Sequence, residues 1–302
     1  MNERDRERRS SSARFANGGA AVERLQFRRA QMSLGTLVSI SIGGLPEPDC
    51  VEAARNGFAA VRTIHELMSF HECGSDVDRL NCQALKRNVE VDPLTMRVLK
   101  CALEISAASR GTFDITVAGA LVAHGLLPRP PTSIDPSPDA SWRDIELSDR
   151  YVRFHRPLWI DLGGIAKGFA VDYAFECMDL GTEIDACVDA GGDLRLQGQD
   201  DHPVRLRAAI EGGRIPVLFV PGPISIASSA ADADNPTHIH GVERTTMGER
   251  TFVTVISSRC MLADALTKVA MAGSGADDVL RAFASTALIN TGGKFSTLGA
   301  LA

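Results

Sequence analysis

The sequence is short of aromatic residues, with two Trp and two Tyr among 302 residues, and it has no basic excess. Thirty-two Lys and Arg stand against 38 Asp and Glu, for a formal net charge of −6. Without a basic stripe interleaved with aromatics, recognition of nucleic acid is not expected. No run of 18 apolar residues occurs, so no membrane-spanning helix is expected. The seven cysteines form no C-x-x-C pair and no even framework, which points to reduced thiols and away from zinc. The glycines do not spell G-x-G-x-x-G, so a dinucleotide-binding Rossmann turn is a poor reading. The opening MNERDRERRSSSARFANGG lacks the apolar core of a secretory signal and a lipid-attachment Cys near its start. Residues 1–24 therefore read as a disordered tail, and a cytoplasmic location is expected.

What is present is ordinary for a globular chain: 44% hydrophobic and 23% charged residues. No internal repeat or linker interrupts residues 30–302, so 25–302 reads as one domain. The spacing predicts helices over 50–69, 93–109, 167–180 and 260–273, with a short one after a Ser75–Asp76 cap and another over DDVLRAFAS. Strands are expected at 34–42, in DIELSD, YVRFHR and LWIDL, around a Gly191–Gly192 hairpin, and in PVRLRAAI, IPVLFVPG, SIASSA, TFVTVIS and ALINT. Strands outnumber helices and several are hairpin-connected. The expected class is α+β, with mostly antiparallel sheets layered with helices.

Two stretches carry the candidate chemistry. WIDLGGIAKGFAVDYAFECM, residues 159–178, runs from an apolar segment through Gly163, Gly164, Lys167 and Gly168 into a helix. Glycines there let backbone amides approach a ligand, and a helix N-terminus favours an anion. ADALTK, 263–268, sets Asp264 in an otherwise apolar helix, where it must be solvated, paired or bound to a metal. A carboxylate, a hydroxyl and a backbone carbonyl together suit magnesium. His238 and His240 in THIHG alternate on an expected strand, and either is a candidate base. Each has a plainer alternative: a tight packing turn, an N-cap Asp264, a solvated Lys167, a structural His.

In order along the chain stand LGT, MSFHECGSDVDRLN, GTFDITV, IDLGGIAKGFAVD, DAGGDLRLQG, SIASSA, THIHG and ADALTK. Singly these are weak signals. As an ordered series they resemble the FAD:protein FMN transferase family, also called ApbE, from about residue 30 to the C-terminus. The resemblance implies an ApbE-like fold and a magnesium-dependent transferase. Such an enzyme binds FAD, attacks its pyrophosphate with a Thr or Ser hydroxyl of an acceptor flavoprotein, joins FMN by a phosphoester and releases AMP. The implied acceptor is an electron-transfer subunit.

Carried over residue by residue, the resemblance puts Leu34 and His71 at flavin-pocket positions, where the family often has Met and an aromatic. Thr112, Phe113 and Asp114 match a segment that contacts the nucleotide. Gly163 and Lys167 lie on the phosphate-side loop. The Ala166 carbonyl and Asp264 match metal ligands, Thr267 is the nearest hydroxyl to a third, and His238 matches the base. The family commonly ends its metal motif D-A-x-[SA]-T. Here that last position is Lys268, with Thr267 one residue earlier, and a one-residue slip on a helix turns a side chain by about 100°. THIHG also lacks the Asp-Pro that often follows the family's His. Segment 264–268 thus separates three readings: a transferase, an FAD-binding or FAD-hydrolysing relative that has lost transfer, and a non-catalytic flavin carrier. Many members of the family work outside the cytoplasm, so a periplasmic location is the alternative.

Overall fold

A two-residue turn opens the architecture. Leu34 and Gly35 both have positive φ, +53° and +70°, between the paired residues Ser33 and Thr36. This geometry suits the right-handed twist of a hairpin. The strand expected at 34–42 therefore starts two residues late, and a preceding strand joins it. That strand is exposed along most of its length and shows no alternation, which hid it from the hydrophobic pattern.

The computed structural model describes residues 27–132, 134–198, 201–206, 217–231, 238–246 and 251–300. The expected tail, 1–24, lies outside the described residues, as do parts of PVRLRAAI and IPVLFVPG. The helices are α1 (Glu47–Met68), α2 (Asp76–Gln83), α3 (Pro93–Ala108), α4 (Ala118–Ala123), α5 (Ala166–Met178), α6 (Cys260–Ala272) and α7 (Ala276–Ala282). The strands are β1 (Phe27–Ser33), β2 (Thr36–Gly43), β3 (Val89–Glu90), β4 (Ile145–Ser148), β5 (Tyr151–Phe154), β6 (Asp185–Ala190), β7 (Asp193–Gln197), β8 (Asp201–Arg205), β9 (Val217–Pro221), β10 (Ile224–Ala231), β11 (Thr251–Ser257), β12 (Thr286–Thr291) and β13 (Lys294–Gly299).

Eight strands form one sheet in the order β1-β2-β6-β7-β10-β11-β12-β13. β3-β5-β4 and β8-β9 form two smaller sheets. Every pairing among the described residues is antiparallel. The α+β class and the antiparallel preference are therefore as the sequence suggests. Helices α5 and α6 lie against the large sheet: α5 packs on β6 and β7, α6 on β10 and β11, and α1 covers α5. Local signals set the helix starts. Ser75 Oγ accepts from the Asp78 amide and Asp92 from the Leu94 amide, with Pro93 in the first turn of α3.

Two further expectations change. LWIDL, 158–162, is not a strand. It is a buried extended segment, with Asn81 donating to the Ile160 carbonyl at 3.0 Å and accepting from the Ile160 amide at 2.7 Å. The Asn81 side chain, together with the Ile115 carbonyl, which accepts from the Asp161 amide at 2.8 Å, replaces ladder partners for this backbone. His238 and His240 do not alternate on a strand either. Only Ile239 between them makes a bridge, to Thr246, and the segment is a loop.

Candidate active site

Helices α5 and α6 cross in close contact because Gly168 has no side chain. A Cβ there would run into the Cys260 carbonyl oxygen and lie 2.8 Å from Asp264 Cβ. One turn along α5, the buried Asp172 accepts from the amides of Cys260, at 3.0 Å, and Met261, at 2.9 Å. Helix α6 has no capping side chain of its own, so a carboxylate from the neighbouring helix satisfies its first donors. Asp264 returns the contact by accepting from the Gly168 amide at 3.1 Å. Asp264 sits inside α6, fully buried, and is not an N-cap.

Four charges converge at this crossing. Lys167 pairs with Asp193 and lies 4.0 Å from Asp264 Oδ2. Lys268 Nζ donates to Asp264 Oδ1 and, at 3.0 Å, to the Asp264 carbonyl. Burial opposes the ionisation of both Asp264 and Lys167, but their opposite charges outweigh it. The Asp264 carboxyl is held below its ordinary range by Lys167 and Lys268, and the Lys167 ammonium above its own by Asp264 and Asp193. Asp193 goes the other way: burial and the Asp264 carboxylate push it up to about 6 against the pull of Lys167.

Two clefts open above this crossing. One, of ≈ 330 Å³, is lined by Thr112, Phe113, Asp114, His238 and Lys268. The other, of ≈ 300 Å³, is lined by Leu34, His65, Phe70, His71, Ala166 and Lys167. They share Leu127, Asp161 and Gly163, so they meet at the loop entering α5. Residues expected at a flavin and those expected at a nucleotide thus fall in adjacent compartments, with Gly163 at the joint. Gly164 is free of crowding: a Cβ there would meet only Lys268 and Phe113, at 3.5 Å each. The glycine signal therefore splits, with Gly168 serving helix packing and Gly163 and Gly164 facing the cleft.

The structure takes Thr267 elsewhere. It is fully buried, donates to the Asp264 carbonyl at 2.7 Å and bonds Ser229 of β10 at 2.8 Å. The oxygens expected to hold magnesium are therefore not a set. Thr267 is turned to the sheet, both Asp264 oxygens have partners, and Lys268 occupies the side of Asp264 nearest the cleft. Among the described residues no group of three His, Cys, Asp or Glu is arranged for a metal. Magnesium requires near-octahedral oxygen ligands at about 2.0–2.1 Å. Beside an ammonium it would meet about 4 kcal/mol of repulsion per unit of its charge at 4 Å and an effective dielectric of 20. The donor set does not fit magnesium.

His238 stands at the rim, mostly buried, on the loop 238–246. Burial and the Lys268 charge lower its pKa to about 4, so the ring is neutral and able to accept a proton at neutral pH. Arg244 holds this loop. One of its nitrogens donates to Asp114 Oδ2 at 2.9 Å, Thr116 Oγ1 at 2.8 Å and the Ala140 carbonyl at 3.2 Å. The Gly241 amide donates to the Thr112 carbonyl at 3.1 Å. Asp114, buried in the wall, is spent on this tether and on the Thr116 amide. Arg244, Asp161, Asp172 and Asp193 escape sequence reasoning. Asp189 is a turn carboxylate accepting from the Gly192 amide, whereas Asp193 four residues on is buried. An Asp inside α5 between apolar neighbours was the only available signal for Asp172.

The comparisons agree on one family. A model of the ApbE family matches residues 34–289. A FAD:protein FMN transferase of Vibrio cholerae serotype O1 is 26% identical over 232 residues, 67% of this chain and 68% of that protein. Another, from Rhodobacter capsulatus, is 28% identical over 183 residues, 57% of this chain and 34% of that protein. The solved flavin transferase ApbE from Vibrio cholerae matches with a TM-score of 0.75 at 21% identity, covering 90% of this chain and 96% of that one. The ApbE protein from Thermotoga maritima also gives 0.75, at 24% identity, covering 89% and 96%. These two likenesses establish the fold.

Proposed function

Because the chain belongs to the ApbE family, we propose that it moves FMN from FAD to a Thr or Ser hydroxyl of an acceptor flavoprotein, releasing AMP. The observation that carries this reading is the pair of clefts joined at Asp161 and Gly163, with Lys167 in one and Lys268 in the other. FAD has the matching shape: two flat ring systems joined by a diphosphate. The compartment with Leu34 and His71 takes the flavin, and the one with Thr112 and Phe113 takes the nucleotide. The diphosphate then lies at the N-terminus of α5, between two ammonium groups.

The acceptor oxygen attacks the phosphorus on the FMN side. A new P–O bond forms while the bond from that phosphorus to the bridging oxygen breaks, and AMP leaves with its electron pair. The hydroxyl proton passes to a ring nitrogen of neutral His238. Charge that builds on the phosphoryl and bridging oxygens is met by Lys167 and Lys268, which their carboxylate partners hold in place before the substrate arrives. No step is assigned to magnesium, since the residues do not fit it.

The test combines the protein with FAD and an electron-transfer flavoprotein carrying a Thr or Ser target. Covalent flavin on the acceptor with equimolar AMP is the expected result. AMP without labelling makes the chain an FAD hydrolase. Bound FAD with neither product makes it a carrier.

A further inference from the structure

Resting on that reading, we infer that Lys268 stands in for a divalent ion, so that this chain binds a nucleoside diphosphate through two lysines and works without metal. An ammonium has three N–H donors. Two of those on Lys268 go to Asp264, one to Oδ1 and one to the carbonyl, which leaves one. That residue lines the cleft, so the remaining donor has the cleft to serve. Lys167 likewise spends one donor on Asp193 and lines the adjoining compartment. Asp264, fully buried beneath both, sets their positions and does not line either cleft. Its carboxylate is shared by Lys268 and the Gly168 amide, and the hydroxyl of Thr267 faces Ser229. The arrangement supplies positive charge on the α6 side of the cleft while leaving no oxygen set for a cation.

The experiment uses the full chain freed of metal with EDTA. ADP and inorganic pyrophosphate are titrated by calorimetry in EDTA and again with magnesium. Manganese binding to the protein is read by electron paramagnetic resonance, and AMP release from FAD in the presence of the acceptor flavoprotein is followed under both conditions. We expect ADP to bind in EDTA at least as tightly as in magnesium, which itself chelates the diphosphate, no stoichiometric protein-bound manganese, and AMP release that persists in EDTA. Lys268→Thr should weaken ADP binding in EDTA about tenfold or more, the loss of one charge-assisted hydrogen bond. Binding of ADP, or release of AMP, that collapses in EDTA and returns with magnesium overturns the inference. So does one tightly bound manganese in the wild-type protein. Metal-independent binding of ADP with no AMP from FAD under any condition supports the lysine assignment and rejects flavin transfer. A protein that binds neither ADP nor FAD overturns both.

Discussion

The floor and the rim of the cleft are built in different ways. The floor is the α5–α6 crossing, where a missing side chain at Gly168, the Asp172 carboxylate on two α6 amides and Asp264 on the Gly168 amide fix one geometry. Every α6 residue from Cys260 to Ala270 is buried. The rim is the loop 238–246, held by one guanidinium nitrogen of Arg244, one backbone bond from Gly241 and one bridge at Ile239. The floor therefore carries stability and charge placement together. The rim carries His238, the proposed base, and little of the core, so its chemistry is separable from folding.

The sharpest break of that comparison is at His238. His238→Ala should reduce transfer about 10²–10⁴-fold, the usual contribution of a positioned base, while the melting temperature barely moves. A large loss of stability would mean that the rim is structural after all. On the floor, Gly168→Ala should cost about 3 kcal/mol, at the upper end for overpacking, because the new Cβ meets backbone that cannot rotate away. Thermal or denaturant unfolding measures it, and a cost near zero would show that α5 and α6 part easily. Asp172→Ala should cost about 2 kcal/mol, as for a lost helix cap, with Arg195 also left unpaired.

Back at the rim, Arg244→Lys keeps the charge and loses the planar guanidinium whose one nitrogen reaches Asp114, Thr116 and Ala140. Turnover should fall about tenfold, a factor of 1.4 kcal/mol, with FAD affinity retained. A variant with wild-type turnover would remove Arg244 from the positioning of His238. The smallest effect is in the pH profile. A base with its pKa lowered to about 4 stays neutral as pH falls from 7, so kcat/KM should hold through pH 5 and drop near 4. The same group adds to folding stability above the unfolded value near 6.5, and that contribution fades as pH falls from there to about 4. In Lys268→Thr the positive neighbour is gone, so the acid limb should move to higher pH.

Much of the fold was legible because its signals are local. The periods of α1, α3, α5 and α6 and the β-branched run of β11 read correctly to within a few residues. β1 was hidden because its residues are exposed, and LWIDL misled because a buried apolar segment looks the same whether a ladder or scattered partners such as Asn81 and the Ile115 carbonyl satisfy its backbone. At the site, the ordered motifs found Thr112, Phe113, Asp114, Gly163, Lys167, His238 and Asp264, all of which the structure brings to one crossing and its two clefts. They did not find Arg244 or Asp193, whose partners, Asp114 and Lys167, are 130 and 26 residues away.

By itself the sequence determined every helix but α4, the antiparallel class and the presence of an acid and a Lys four residues apart on one helical face. A 3.6-residue period and local capping suffice for that. Only the tertiary structure decided that Thr267 turns to the sheet while Lys268 reaches the cleft. Which face of α6 meets β10 and which meets α5 depends on contacts between elements distant in the chain, and no local pattern encodes them.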